Sequence, residues 1–260
     1  MNRQFYDLGI RAPYFVSVRD VKAANGHRFD VHVERDQFIG LIGSKISKVC
    51  SWESFVALAT DKTNNGDDNG ISEKDSVKRW IDASHHVVLP GLVNAHTHLP
   101  MSLFRGLADD APLQSWLHEM IFPLEAHLAD EAFCKAGTSL SLLEGIRSGT
   151  TTYGDMYFHQ KTISEVAVAA GVRAVLAETI VDFPTSDNPK ADDSVYRIIR
   201  DIRAELSTQE KVEIACDPHS PYSCSDRTIR KIDAFSRDEQ LKILIHVAET
   251  DSEVDRKSVV

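Results

Sequence analysis

The stretch Val87–Pro100, VVLPGLVNAHTHLP, closes an apolar run with two histidines one residue apart. If the run is a strand, alternation puts His96 and His98 on one face. The small neighbours Ala95 and Thr97 leave room for both imidazoles to approach one ion. The pair alone is weak. With eleven histidines in 260 residues, chance gives roughly 0.5 His-x-His triplets per chain. Its meaning depends on the residues further along the chain.

Strand and helix patterns alternate downstream. A helix is predicted over Leu113–His127. A second runs from Asp130 to Gly149, with Phe133, Ala136, Leu140, Leu143 and Ile146 as its stripe. TTTYGDMYF (150–158) reads as a strand, TISEVAVAAGV (162–172) as a helix closed by Gly171, and RAVLAETIV (173–181) as a strand. DDSVYRIIRDIRAEL (192–206), KVEIACDPHSP (211–221), DRTIRKIDAF (226–235) and KILIHVAET (242–250) continue as helix, strand, helix and strand. Five such alternations with short connectors imply parallel strands and an α/β fold. No Gly-x-Gly-x-x-Gly follows the first strand, which argues against dinucleotide binding. A (β/α)8 TIM barrel is the better expectation, and barrels of that kind carry chemistry at the C-terminal ends of their strands.

Upstream the pattern differs. FVSVRDV (15–21) and FDVHVERDQFIGLIG (29–43) alternate apolar and polar positions, and Phe29, Val31 and Val33 share one face of an expected half-buried sheet. Residues 1–50 are therefore read as part of a small β-domain, 51–86 as a polar insertion or linker, and 87–260 as barrel. The piece DKTNNGDDNGISEKD (61–75) has the composition of an exposed loop.

Bulk properties narrow the class. Hydrophobic residues are 42% and charged residues 26%, as in ordinary globular proteins. No apolar run approaches the roughly 18 residues of a membrane span. A net charge of −10 argues against a general affinity for nucleic acid or anionic lipid. Cys50, Cys134, Cys216 and Cys224 form no C-x-x-C pair and read as buried thiols of a reducing, cytoplasmic compartment. The N-terminus lacks the pattern of a secretory signal.

Polar residues collect at the expected strand ends: His96 and His98, then Asp155, His219, and finally His246 with Glu249. His246 sits among Ile243, Leu244, Ile245 and Val247, where an imidazole needs a hydrogen bond or a metal. Three neutral imidazoles and a carboxylate suit zinc or iron with one position left for water. Asp155 is read as a cap on the following turn. Trp116 and Glu125 lie nine apart, so a regular helix does not put them on one face. The remaining histidines, His118 among them, are read as surface or packing residues.

VLPGLVNAHTHLPMSLFRGLADDAPLQSWL, GTTTYGDMYF, DPHSPY and IHVAET together resemble the amidohydrolase superfamily, most closely its 5′-methylthioadenosine/S-adenosylhomocysteine deaminases and related chlorohydrolases. The resemblance runs from about Phe29 to Thr250. It implies a metal-dependent TIM barrel flanked by a small β-sandwich. It makes His96, His98 and His246 ligands of one divalent metal ion, zinc first and iron second. It implies that Glu249 shuttles protons, that His219 contacts substrate, and that Glu125 and Trp116 surround the ribose and thioether of a small-molecule nucleoside. Glu178 stands where related deaminases can place an arginine for a carboxylate-bearing substrate, which favours methylthioadenosine over S-adenosylhomocysteine. The family barrel has eight strands and this sequence supplies about five, so the chain alone is expected to have little or no activity. Two other readings stay open: a hydrolase of another heterocycle such as guanine, cytosine or a triazine, and a non-catalytic remnant. A homo-oligomer is compatible with all three.

Overall fold

The computed structural model describes residues 5–23, 26–60, 76–108, 110–249, 251 and 253. The chain divides into two compact units, Met1–Pro90 and Gly91–Val260.

The first unit is a five-stranded sheet. Strands β1 (Leu8–Ala23) and β2 (Gly26–Ile42) form a long antiparallel hairpin, and β3 (Lys45–Ser51) continues it antiparallel to β2. β4 (Trp80–Asp82) and β5 (Val87–Val88) lie parallel to β1. Helix α1 (Trp52–Thr60) follows β3, and the Ser51 hydroxyl accepts the Ser54 amide at 3.2 Å to start it. Aromatic rings fill the core. Phe38 stacks on Phe55 with centroids 3.7 Å apart, and Tyr6, Trp52 and Trp80 close around the pair.

Two expectations change in this unit. Segment 51–86 is not simply a linker, because Trp52–Thr60 and Trp80–Asp82 are regular elements of the sheet unit. The two compact units divide at Pro90/Gly91, and the polar piece 61–75 falls outside the described residues. The face expected to be half-buried is also exposed over the far part of the hairpin. Val18, Phe29, Val31 and Val33 are 59–70% exposed. The neighbouring strands pair with β1 only as far as Phe15 and with β2 only from Gln37 onward.

The second unit carries four parallel strands in the order β6 (Leu92–Thr97), β7 (Thr150–Tyr157), β8 (Arg173–Ile180) and β9 (Val212–Pro218). Helices α4 (Glu131–Arg147), α5 (Gln160–Ala170) and α6 (Ser194–Glu205) make the crossovers, and α7 (Asp226–Asp238) follows β9. Asp130 caps α4 by accepting the Phe133 amide at 2.8 Å, and Gly171 closes α5 with φ +73°. The expected fifth strand is reduced to one parallel bridge. Ile243 pairs with Cys216, whose amide donates to the Lys242 carbonyl and whose carbonyl accepts the Leu244 amide, each at 3.0 Å.

Helix α4 turns a different face inward from the one its apolar stripe suggests. Cys134, Gly137, Thr138 and Leu142 are buried, whereas Leu143 and Ile146 are exposed. Gly137 explains the rotation. A Cβ there would come within 2.8 Å of the Pro100 backbone, so the helix lies directly on the turn after β6.

Candidate functional site

The histidines gather where β6 stops behaving as a regular strand. Its register against β7 slips between Asn94 and Thr97, and His98 lies just past the strand as the residue before a 3-10 turn, Leu99–Phe104. His246, from the segment bridged to β9, meets them. One ligand nitrogen from each of His96, His98 and His246 lies within 4.8 Å of the others. His98 Nδ1 is 2.6 Å from the Met156 carbonyl and His246 Nδ1 is 2.9 Å from the His219 carbonyl. A carbonyl only accepts, so both Nδ1 atoms carry the proton and both Nε2 atoms carry a lone pair.

Those two Nε2 atoms face each other at 3.2 Å. Two lone pairs at that distance need a proton or a cation between them. Burial pushes His98 down to about 4, which disfavours a proton on that ring at neutral pH. Ligands about 2.0–2.1 Å from a tetrahedral zinc sit roughly 3.4 Å apart, close to the spacing seen. The chain's own donors therefore fit a divalent ion. Backbone carbonyls hold two of the imidazoles in the ligating tautomer.

His219 and Glu249 complete the polar end. His219 lies just after β9, its Nδ1 within 3.2 Å of Ser220 Oγ and 3.1 Å of Ser223 Oγ, and its ring centroid is 4.7 Å from that of His246. Burial, then the neighbouring His246 and His98, hold it down at about 3, a neutral imidazole. A continuous strand would turn Glu249 away from His246. The chain instead adopts a left-handed conformation at Ala248, φ +60°, and Glu249 returns to the pocket. Tyr222 donates to Glu249 Oε2 at 2.9 Å, and the Glu249 amide donates to Glu253 at 3.1 Å. Thr250 and Ser252, which follow it, lie outside the described residues.

His98, His219, Tyr222, His246 and Glu249 line a cavity of 640 Å³. Met101, Trp116, Ile121, Phe122 and Phe183 form much of its apolar wall, and Glu125 lies among them. Trp116 and Glu125 share the cavity because the helix is not regular. α2 (Leu113–Ser115) passes into a π-helical stretch, Trp116–Ile121, before α3 (Phe122–Leu128). The wider turns reduce the rotation between the two positions and bring both inward. Burial raises the Glu125 carboxyl to about 7, and the Tyr157 hydroxyl partly offsets it. His118, read as a surface or packing residue, also lines the cavity.

Glu178 behaves differently from its sequence reading. It is 1% exposed, lies in the sheet and does not line the cavity. Burial, and then Asp187, push it well above the ordinary range, and Asp187 is correspondingly lowered. Oε2 accepts the Gln160 amide, and Oε1 has no donor unless the carboxyl is protonated and gives its hydrogen to Asp187. A neutral, buried carboxyl repels no substrate tail, so Glu178 gives no ground for disfavouring S-adenosylhomocysteine. The folded pair keeps a proton that the unfolded chain has released above the ordinary glutamate range. Native protein thus binds more protons, and stability falls as pH rises by up to about 1.4 kcal/mol per pH unit until Glu178 ionises. Glu178→Gln supplies the donor without the proton. Its melting-temperature advantage over wild type is expected to widen from about pH 5 to pH 8; parallel pH profiles would refute the shared proton.

Comparison with known proteins defines the class. The amidohydrolase family matches residues 87–258, and the chain belongs to that family. A 5-methylthioadenosine/S-adenosylhomocysteine deaminase of Syntrophobacter fumaroxidans is 40% identical over 178 residues, covering 68% of this chain and 40% of its own. A 5′-deoxyadenosine deaminase of Methanothermobacter thermautotrophicus is 40% identical over 179 residues, covering 68% and 41%. The matched part spans about two-fifths of these curated relatives. Among solved structures, an adenosine deaminase from Xanthomonas campestris with bound zinc aligns over 99% of this chain and 53% of that one, at 27% identity and TM-score 0.81. A guanine deaminase from C. acetobutylicum, 18% identical with TM-score 0.71 over 96% of this chain and 55% of that one, shares the fold.

Proposed function

We propose that this chain carries the metal-binding and substrate-facing part of a hydrolytic deaminase for adenosine analogues, with 5′-methylthioadenosine first and S-adenosylhomocysteine second. The observation that carries the reading is the convergence of His96, His98 and His246, two of which line an aromatic-walled cavity together with Glu249. The names of the relatives favour adenosine analogues over guanine or triazines. β6–β9 and the segment at Ile243 are then the first five strands of an eight-stranded barrel, and the N-terminal sheet is part of a small sandwich. No helix of the described residues is long and apolar enough to cross a membrane. Free Cys50, Cys134, Cys216 and Cys224 support a reducing, cytoplasmic setting.

In this reading His96, His98 and His246 hold one divalent ion, zinc by preference, which when bound makes water acidic enough to react near neutral pH. Glu249, oriented by Tyr222, takes a proton from the attacking water and returns it to N1 of the adenine ring. The water oxygen forms its bond to C6, the C6–amino bond breaks, and ammonia leaves with the remaining proton. His219, held by Ser220 and Ser223, presents its other ring nitrogen to the substrate. The Glu125 carboxylate accepts from the ribose hydroxyls, and Trp116 packs on the thioether.

The test mixes zinc-loaded protein with stoichiometric 5′-methylthioadenosine, guanine or atrazine and follows tryptophan fluorescence and ammonia. Metal-dependent binding of the nucleoside that persists in Glu249→Gln is expected, with little or no ammonia released by this chain alone. Preference for guanine or the triazine would overturn the substrate class. Because Glu125 titrates near 7 and the ionised form accepts hydroxyl donors, nucleoside affinity is expected to rise with pH through about 7. The Glu125→Gln variant should bind more weakly and show no such rise. A pH-independent wild type would remove Glu125 from ribose recognition.

A further inference from the structure

We infer that Asp155 is the positioning residue of the metal centre, setting the His98 imidazole by holding the residues on either side of it. Asp155, at the end of β7, is fully buried. Its Oδ1 accepts the Leu99 amide at 2.6 Å and the Thr97 hydroxyl at 3.0 Å. Thr97 also reaches the Gly154 carbonyl at 3.0 Å, and the next residue of β7, Met156, takes His98 Nδ1 on its carbonyl. Three successive residues of β7 thus grip three successive residues of the other chain segment, with His98 in the middle.

The Asp155 carboxylate is not one of the three converging donors. Its second oxygen, Oδ2, is occupied by Gln160 Nε2 at 3.0 Å, and the same nitrogen is shared with the Tyr157 and Ala177 carbonyls. Every group on Asp155 is a donor, so the carboxylate is matched on both oxygens and fixed from α5. His98 lies just beyond Thr97, the last residue of β6 to pair with β7, so no ladder bond sets its conformation. Side-chain and carbonyl bonds from β7 replace the missing ladder bonds. Partners of this kind around a ligating histidine are worth on the order of 10–100-fold in metal affinity.

The inference rests on reading His98 as a ligand, and two measurements separate the claims. In metal-free, 15N-histidine-labelled protein, long-range 15N–1H correlation reads the His98 tautomer. Wild type is expected in the Nδ1–H form, and Asp155→Ala in a mixture. In cobalt titrations the visible absorption bands report affinity and geometry. Asp155→Ala should bind cobalt on the order of 10–100-fold more weakly with altered bands. Asp155→Asn, which keeps the acceptor for Leu99 and Thr97, should recover most of that loss. If Asp155→Ala fails to fold, Thr97→Val removes one tie alone and should shift the tautomer in the same direction. A folded Asp155→Ala, or a Thr97→Val, with wild-type tautomer and cobalt affinity overturns the inference. Wild type in the Nδ1–H form that binds no cobalt overturns the metal reading while leaving the positioning of His98 supported.

Discussion

Replacing His98 or His246 by asparagine is expected to weaken zinc binding by roughly two orders of magnitude. Each side chain offers one nitrogen to the ion, Nε2, while Nδ1 is committed to a backbone carbonyl. Asparagine can still donate near the Nδ1 position but has nothing to replace Nε2. Four-ligand zinc sites are worth about 10–16 kcal/mol, so one ligand's share is about 3 kcal/mol. The zinc affinity of either variant should fall roughly a hundredfold. Competition with a chromophoric chelator reads this directly, and the zinc-induced rise in melting temperature should shrink with it. His96 is the exposed member of the three, and its loss should cost less. A His98 or His246 variant with wild-type affinity would show that the ion binds elsewhere.

Gly154→Ala is the second large effect. Where β6 leaves its ladder, the Ala95 carbonyl comes over β7, and a Cβ at position 154 would lie 2.6 Å from that oxygen. The atom in the way is backbone, so no rotamer change relieves the contact. Overpacking of this kind costs about 1–3 kcal/mol, or about 2–4 °C in melting temperature per kcal/mol for a unit of this size. Relief can come only by pushing β6 away, and Ala95 is next to His96. Stability and zinc affinity should therefore fall together, as measured by thermal melts with and without zinc. A variant that loses stability but keeps wild-type affinity would uncouple the bulge from the site.

The same bulge explains how far the sequence could be read. His-x-His in an apolar run suggested a strand with two imidazoles on one face, and both do reach one place. They get there through an irregular strand end, with His98 beyond the last paired residue. Alternation cannot express that. His246 was legible because an imidazole among Ile243, Leu244 and Ile245 needs a partner. The return of Glu249 depends on a left-handed alanine, Ala248, that no residue preference signals. Trp116 and Glu125 were separated by counting 3.6 residues per turn across a stretch that is π-helical. Asp155 looked like a turn cap. Its burial and its three donors come from β6, the turn after it and α5, contacts that no local window contains. The parallel α/β order was readable from alternation. The exposure of Phe29, Val31 and Val33 was not, because alternation reports a two-faced strand and not whether anything lies on its apolar face.

The central claim is that three imidazoles of this chain share one ion, and zinc-edge X-ray absorption on zinc-loaded protein tests it most directly. The expected spectrum has nearest neighbours of nitrogen and oxygen at about 2.0–2.1 Å, with the more distant scattering of three imidazole rings. A spectrum without imidazole scattering, or zinc that is lost on gel filtration, would contradict it.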